Sequence, residues 1–364
     1  MAGAMMPGAL ARPRRVAVFR ALQLGDLLCA VPTLRALRNA WREAQITLIG
    51  LPWAASFATR FAHLVDDFIA FPGFPGLPER PPEIAALPLF LITAQSRHFD
   101  LAVQLHGRGD LTNAIVGTLG ASATAGFRGP GTYCPDPARY APWPEAGPEI
   151  ERLLTLVDYL HLPRAGTQLE FPISPSEVAQ ADALRHMAGL ARAGYACLHP
   201  GARLRSRRWP PEHFAAVAAP LQQAGLRIVV TGTAEEAEVT ARVTRMVSGA
   251  IDLTGQTSLG VLAALIRDAR LLVCNDTGVS HVAAALRTPS VVVSCGADPA
   301  RFAPLDHVLH EVVHEPMACR PCAHDRCPIG HPCATQLAPA RVAEHVRARL
   351  AVTQPARTQL PRIG

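Results

Sequence analysis

The 364-residue chain is too long for one ordinary domain and long enough for two domains that each bury a core. Its hydrophobic fraction of 49% and charged fraction of 18% exclude a disordered chain, and no uninterrupted apolar run approaches the length that spans a bilayer. The net charge of +6 indicates an anionic partner, which charge alone leaves open as a nucleotide, a phosphorylated lipid, a membrane face or a nucleic acid.

The first half of the chain predicts a parallel sheet wrapped by helices. Residues 1–14 are interpreted as a disordered leader, since Arg20 and Asp26 interrupt the apolar core that a signal peptide would need. Arg15–Phe19 predicts a buried strand, and an amphipathic helix follows from Val31 to Trp41. The alternation continues with strands predicted at residues 46–49 and 100–105.

The second half restarts the alternation of strands and helices. The Gly- and Pro-rich stretch Gly126–Pro148 predicts a surface excursion, and Phe171–Pro175 is typical of an interdomain linker. Further buried strands are predicted at residues 195–198, 227–230, 271–274 and 290–294. The simplest architecture is α/β, with Rossmann-like domains at residues 15–172 and 173–352 whose parallel sheets face a central cleft, and a disordered tail at 353–364.

Asp26 stands at the start of the first predicted helix, close to the carboxyl ends of the predicted strands. A carboxylate in this position can act as a general base that takes the proton from an acceptor hydroxyl as its oxygen attacks a sugar carbon. The alternative is that Asp26 caps the helix or complements its dipole.

The segment Cys274–His281 joins a buried strand to an alanine-rich helix. Backbone N–H groups of Thr277 and Gly278 are expected to point out of the helix start, where the helix dipole favours an anion such as a phosphate. The alternative is that Asp276 or Thr277 only caps the helix, with His281 packing on its first turn.

Two further elements follow predicted strands in the second half. His199–Ala202 is followed by four arginines, at 203, 205, 207 and 208, whose guanidinium forks suit diphosphate oxygens, although an arginine cluster is also typical of a solvated loop. After the next strand, Thr231–Thr233 precedes Glu235 and Glu236, where a carboxylate can hold a ribose hydroxyl or belong to a capped helix start.

Four cysteines near the end form a C-x2-C-x4-C-x5-C pattern, with His324 and His331 between them. They are Cys319, Cys322, Cys327 and Cys333, and this spacing suits tetrahedral zinc or iron in a closed, structural site. The alternative is that the thiols are reduced or opportunistically bonded. The other five cysteines stand singly in apolar segments, which favours a reducing compartment.

The ordered set of motifs resembles glycosyltransferase family 9, the bacterial lipopolysaccharide heptosyltransferases, from about Val16 to about Val346. The segments that carry the resemblance are Leu24–Leu27 with Pro32 and Leu34, Pro200–Ala202 with Arg207–Pro210, Leu253–Gly255 with Ser258 and Leu259, Asn275–Gly278 with His281, and Gly296–Pro299 with Pro304.

The resemblance implies the GT-B fold, in which the acceptor binds the first domain and an ADP-sugar the second. It also implies an inverting displacement that requires no cofactor, with Asp26 as base. The ADP-binding residues that it implies are Arg207, Thr277, Gly278 and His281, with Asp276 and Glu236 as further carry-overs. The family often has Lys where Arg207 stands, and some relatives that glycosylate proteins are thought to hold iron through similar cysteines.

The leading hypothesis is therefore a cytoplasmic enzyme that moves heptose from ADP-heptose to a lipopolysaccharide core or related glycan, held by its basic surface at the inner face of the inner membrane. A second hypothesis changes the acceptor to a protein. A third is a non-enzymatic nucleic-acid-binding protein with a four-cysteine metal module. The dispersed basic residues and the aromatic content of 5% disfavour this third hypothesis, so no nucleic-acid partner is expected.

Overall fold

The computed structural model describes residues 12–322 and 324–351. The chain divides into two compact units between Pro172 and Ile173, a point within the predicted linker Phe171–Pro175. Most of the predicted leader (1–14) and all of the predicted tail (353–364) lie outside the described residues.

The first unit contains a parallel sheet whose strand order is β3-β2-β1-β4-β5-β6. This is the doubly wound order of Rossmann folds. The strands are β1 (Arg15–Phe19), β2 (Gln45–Gly50), β3 (Asp67–Ala70), β4 (Leu101–Gln104), β5 (Ala123–Arg128) and β6 (Tyr140–Pro142). The helices are α1 (Leu24–Ala40), α2 (Ala55–Arg60), α3 (Leu87–Gln95), α4 (Thr112–Gly117) and α5 (Glu149–Tyr159).

The central strand β1 explains why its sequence is a continuous apolar run. Residues Val16–Phe19 are all buried, as expected of a parallel strand that is covered on both faces. The carboxylate of Asp100 accepts the backbone N–H groups of Arg14 and Arg15 at 2.7 and 2.8 Å, which ties the start of β1 to the segment before β4.

The second unit repeats the topology. Its parallel strand order β9-β8-β7-β10-β11-β12 is again 3-2-1-4-5-6 when its strands are counted from its own first strand. The strands are β7 (Tyr195–His199), β8 (Arg227–Val230), β9 (Ile251–Asp252), β10 (Leu271–Asn275), β11 (Ser290–Val293) and β12 (His310–Val313). The helices are α6 (Pro175–Met187), α7 (Pro211–Gln223), α8 (Ala237–Met246), α9 (Leu259–Asp268), α10 (Gly278–Ala285), α11 (Pro299–Phe302), α12 (Pro332–Thr335) and α13 (Pro339–Ala351).

The α/β class with two parallel, Rossmann-like sheets is confirmed, but the predicted surface excursion at Gly126–Pro148 is wrong in part. Strand β6 lies within that stretch and pairs with the end of β5. Tyr140 and Phe127 are fully buried, so apolar packing outweighs the local Gly and Pro content. Pro142 ends the strand at the edge of the sheet, where a missing N–H is tolerated.

The topology determines where ligands are expected in each unit. In a doubly wound sheet, the crevice lies beyond the carboxyl ends of the two central strands, where the strand order reverses. These strands are β1 and β4 in the first unit, and β7 and β10 in the second. No helix among the described residues is both long and apolar enough to cross a membrane.

Candidate functional site

The start of α10 offers an anion site beyond strand β10. Thr277 is its N-cap residue, with an extended backbone at φ −142° and ψ 174°, and its side chain makes no capping hydrogen bond. The Thr277 Oγ1 atom is buried and has no hydrogen-bond partner in the part of the chain that the structure describes. A buried hydroxyl beside the first N–H groups of a helix, from Gly278 onward, can donate to an anion there.

Asp276 and His281 flank this helix start and are both buried. The Asp276 carboxylate accepts the Ser294 hydroxyl at 3.2 Å, and its backbone N–H donates to the Val293 carbonyl at 3.0 Å. Asp276 therefore lies between the ends of β10 and β11, immediately before the N-cap residue. Thr277 therefore occupies the N-cap position without a capping hydrogen bond from its side chain, and the roles of Asp276 and Thr277 toward a ligand stay predictions.

Asn275, the last residue of β10, joins this turn to the arginine loop. Its side-chain oxygen accepts the backbone N–H of Trp209 at 3.0 Å. Its amide nitrogen donates to the carbonyls of Pro200 and Gly201, at 2.7 and 3.3 Å. Sequence reasoning gave Asn275 no role of its own. The sequence did contain a signal for this role, namely an amide residue at the end of an apolar strand. A buried amide needs several hydrogen-bond partners.

The four arginines of the loop after β7 differ in what they contact. Arg208 donates from Nε to the carbonyl of Ala202 at 2.7 Å, so it braces its own loop. Arg203 and Arg205 are exposed. Arg207 is half-buried, and its Nε atom is buried without a hydrogen-bond partner among the described residues. Arg207 therefore retains a desolvated donor that an anionic ligand can use.

Glu236 is buried beside the same loop, whereas Glu235 is exposed. Its Oε2 atom accepts the backbone N–H of Thr233 at 2.8 Å in a capping box. A Cβ atom at Gly201 would lie 2.2 Å from the Glu236 carboxyl carbon, so only glycine permits this approach. The structure thus supports the helix-cap interpretation of Glu236, and its contact with a ribose stays a prediction.

His199 lies at the end of β7, between Thr231 and Glu236. Its Nδ1 atom is 3.0 Å from the Thr231 hydroxyl, and its Nε2 atom is 3.9 Å from the Glu236 carboxylate. Burial lowers the pKa of His199, and the charge of Glu236 opposes that effect only in part. The imidazole is therefore neutral near pH 7 and contributes polarity rather than charge.

In the first unit, Asp26 lies in the first turn of α1 and is half-buried. Its Oδ2 atom accepts the backbone N–H of Gln23 at 3.3 Å, and the two residues form a capping box. The capping alternative is thus supported by the structure. A carboxylate has further lone pairs, so this contact is compatible with proton transfer, and the role of base stays a prediction.

Arg20 holds the first turn of α1 in position. Arg20 and Glu149 are each 1% exposed, and their charged atoms lie 3.1 Å apart. Arg20 also donates to the carbonyl of Asp26 at 2.8 Å and to the carbonyl of Leu105. One guanidinium therefore holds together the ends of β1 and β4 and the starts of α1 and α5. Sequence reasoning used Arg20 only to reject a signal peptide.

His106 contacts the loop between β1 and α1. Its Nδ1 atom accepts the backbone N–H of Ala21 at 3.3 Å, so in the neutral ring Nε2 carries the hydrogen. That nitrogen lies 3.1 Å from the Glu79 carboxylate. The ring also stacks on Phe19, with 5.5 Å between centroids. His106 thus ties the loop that precedes Asp26 to the segment that contains Glu79, an arrangement the sequence did not predict.

The four clustered cysteines differ in exposure. Cys319 is exposed, Cys322 and Cys327 are half-buried, and Cys333 is buried against the core of the second unit. Within residues 12–322 and 324–351, no group of three or more His, Cys, Asp or Glu side chains is placed so that it could hold a metal ion. The cysteines as placed do not fit the predicted zinc or iron, and we assign no step to a metal.

Comparison with known proteins gives a family and a fold. The profile of glycosyltransferase family 9 (heptosyltransferase) matches residues 93–332. Lipopolysaccharide heptosyltransferase 2 of Escherichia coli K12 is 34% identical over 114 residues, which is 30% of this chain and 33% of that protein. The match to this curated relative therefore spans about a third of its length.

Two solved structures share the fold. A glycosyltransferase family 9 protein from Veillonella parvula has a TM-score of 0.71 at 22% identity, over 84% of this chain and 87% of that one. The ADP-heptose lps heptosyltransferase II of E. coli has a TM-score of 0.67 at 22% identity, over 92% and 98% of the two chains. The E. coli protein is a GT-B heptosyltransferase, and the two parallel sheets described above agree with that fold.

Proposed function

Because the chain belongs to glycosyltransferase family 9, the heptosyltransferases, we propose that it transfers heptose from ADP-heptose to a lipopolysaccharide core or a related glycan. The names of the E. coli relatives, a lipopolysaccharide heptosyltransferase and an ADP-heptose lps heptosyltransferase, support this donor and this acceptor. The net charge of +6 supports a location in the cytoplasm at the anionic inner face of the inner membrane.

The observation that carries the proposal is a pair of buried donors beyond the central strands of the second unit. Arg207 Nε and Thr277 Oγ1 are both buried and lack hydrogen-bond partners among the described residues. Buried polar groups are normally bonded, so two of them in loops joined by Asn275 indicate a ligand that supplies acceptors. The diphosphate of ADP, placed at the start of α10, supplies them.

In the proposed reaction, Asp26 takes the proton of the acceptor hydroxyl. The hydroxyl oxygen then forms a bond to the anomeric carbon, the bond from that carbon to the diphosphate oxygen breaks, and ADP leaves with the electron pair. The configuration at the carbon inverts. Arg207, the N–H of Gly278, the Thr277 hydroxyl and His281 bind the diphosphate as its charge grows, and such preorganised donors stabilise the transition state more than the ground state.

Two carboxylates complete the proposed donor site, which requires no cofactor. Asp276 holds the turn before α10 through Ser294, and Glu236 offers its remaining carboxylate oxygen to a ribose hydroxyl. Because the leaving diphosphate is stabilised by side chains and N–H groups, the displacement does not depend on a bound cation.

The donor site is tested by calorimetric titration with ADP, UDP and GDP, each with and without magnesium. We expect ADP to bind preferentially and independently of magnesium, and Arg207→Ala to lower its affinity by roughly tenfold or more, the loss of a charged hydrogen bond. The matched control is Arg203→Ala, which removes an exposed arginine of the same loop. Binding of UDP or GDP instead would change the donor, and binding of no nucleotide would reject the enzyme.

The base is tested with Asp26→Asn, which keeps an oxygen for the N–H of Gln23 but cannot take a proton at neutral pH. We expect transfer from ADP-heptose to fall by at least about a hundredfold while ADP affinity stays unchanged. Equal transfer by the variant would rule out Asp26 as base. Loss of ADP binding as well would make Asp26 a structural carboxylate.

A further inference from the structure

Ser206, the middle residue of the Arg205–Arg207 turn, is held by residues from the far end of the chain. It is 2% exposed, and each of its three polar groups is bonded. Its N–H donates to the carbonyl of Asp325 at 2.8 Å, and its hydroxyl donates to the carbonyl of His324 at 2.6 Å. Its own carbonyl accepts from Nε2 of His331 at 2.7 Å. All three partners belong to the cysteine segment, defined here as residues 319–322 and 324–333.

The cysteine segment is anchored a second time, to the loop after β11. The N–H of Cys322 donates to the carbonyl of Gly296 at 2.7 Å. A Cβ atom at Gly296 would lie 3.1 Å from both Cys322 Cβ and the Ser206 carbonyl oxygen. Three stretches of chain therefore meet at a glycine, and the segment packs closely on the turn.

Arg320 extends this anchor to the start of α10. It donates to the carbonyls of Ser294 and Ala297, and the Ser294 hydroxyl in turn donates to Asp276. The cysteine segment thus contacts both sides of the proposed donor site: the turn that carries Arg207, and the residues that hold Asp276.

We propose that the cysteine segment is a clasp that positions Arg207 for the leaving diphosphate, with His331 as the positioning residue. The proposal rests on the proposed donor site. It requires no metal, because Ser206 is held by two hydrogen bonds that it donates to main-chain carbonyls and by one that it accepts from an imidazole.

His331 is suited to this role by its backbone. Its φ of 62° lies in the left-handed region, which residues other than glycine rarely adopt. In this conformation it is the N-cap residue of α12, and its ring nitrogen reaches the Ser206 carbonyl. A carbonyl accepts only from a donor, so Nε2 carries the hydrogen. Strained residues of this kind persist where surrounding contacts determine them.

The test is a double-mutant cycle between His331 and Arg207, read as ADP affinity and as KM and kcat for ADP-heptose. We expect His331→Ala to weaken ADP binding by about five- to tenfold, the scale of one hydrogen bond, and to change the donor KM more than the acceptor KM. In the Arg207→Ala background, His331→Ala should have no further effect, because both changes remove the same interaction. His331→Gln, whose amide can donate, should recover part of the loss.

The matched control is His324→Ala, which removes an imidazole from the same segment and keeps the carbonyl that Ser206 uses. We expect its ADP affinity to match the wild type. If His331→Ala does not fold, Ser206→Ala removes one of the three bonds and replaces it in the cycle. Additive effects, or no effect of His331→Ala on ADP binding, would overturn the clasp alone, whereas a wild-type protein that binds no ADP would overturn the proposed function.

Discussion

The two units share one strand order but brace the loops at their central strands with different groups. In the first unit, ionisable side chains brace the loop after β1: the buried Arg20 pairs with the buried Glu149, and the buried His106 lies beside the half-buried Glu79. In the second unit, the neutral amide of Asn275 joins the loops after β7 and β10, and Arg208 adds a hydrogen bond within the loop after β7.

Equal topology therefore leads to two different sites. In the first unit, the charged and polar groups of Arg20, Glu149, His106 and Glu79 pair with one another around the turn of Asp26 and keep that carboxylate in place. In the second unit, the Asn275 amide makes the bracing contacts. The Arg207 Nε–H and the Thr277 hydroxyl therefore remain available to donate to a ligand. Topology determines where each site lies, and the choice of bracing groups determines which groups remain for chemistry.

The largest effect is expected from breaking the charged brace of the first unit. Arg20→Ala removes the cation that lies 3.1 Å from the buried Glu149 carboxylate, so the free energy of unfolding should fall by about 3–5 kcal/mol. The paired change Arg20→Met with Glu149→Leu should recover part of that loss, because it removes both buried charges. Urea unfolding measures both. Equal stability of Arg20→Ala and the wild type would mean that the pair does not brace the loop.

The neutral brace of the second unit should give the next largest effect. Asn275→Ala leaves the Trp209 N–H and the Pro200 carbonyl without partners, so we expect a loss of about 2–4 kcal/mol together with weaker ADP binding. Asn113→Ala in the first unit is the control. That amide is equally buried and donates to Phe127 and Tyr133 carbonyls at 3.0 and 2.8 Å. Asn113→Ala should destabilise its own unit and spare ADP binding, and an equal loss of ADP affinity would contradict the comparison.

The stability of the second unit should depend on acid pH through the buried His310. Burial lowers the pKa of His310 to about 4, against about 6.5 in the unfolded chain. Between these values the unfolded state binds more protons, so stability falls as the pH falls from 6.5 to 4. The free energy of unfolding should fall by about 3 kcal/mol across that window. Comparison of urea unfolding at pH 7 and pH 4.5 should show a smaller pH effect in His310→Asn. An equal pH effect in His310→Asn and the wild type would mean that other groups cause the loss of stability in acid.

The smallest effect concerns the close approach of Gly201 to Glu236. Gly201→Ala inserts a methyl group against the carboxylate and should cost about 1–2 kcal/mol through overpacking. Gly117→Ala is the control, because an added Cβ there meets its nearest atom only at 4.0 Å. Thermal unfolding compares the two variants. In the Glu236→Ala background the cost of Gly201→Ala should disappear, and a persistent cost would point to another obstruction.

The sequence predicted the sheets because apolar runs report local burial. The predicted strand Arg15–Phe19 has the observed bounds, since each of its apolar residues is covered on both faces. The braces were not predictable, because their partners lie far apart: Arg20 and Glu149 are separated by 129 positions, and Asn275 and Trp209 by 66. No local pattern encodes such pairs.

In the candidate site, too, local features were predictable from the sequence and contacts between distant residues were not. Residues in a contiguous turn, such as Thr277 and Gly278, were found from the sequence because a helix start has a local signature. The same signature could not show which arginine keeps a free donor. That depends on Ala202, which binds Arg208, and on Asp325, which holds the turn before Arg207 from 120 positions away.

Trp209 gives the second unit an optical reporter. The sequence has four tryptophans, at positions 41, 53, 143 and 209, and only the last belongs to the second unit. Its indole is fully buried beside Phe214, with its ring N–H bonded to the Leu337 carbonyl at 3.1 Å. With the other three replaced by phenylalanine, the emission wavelength and intensity would come from a single indole, two residues after Arg207. Rearrangement of the arginine loop would then be visible as a fluorescence change, without a label.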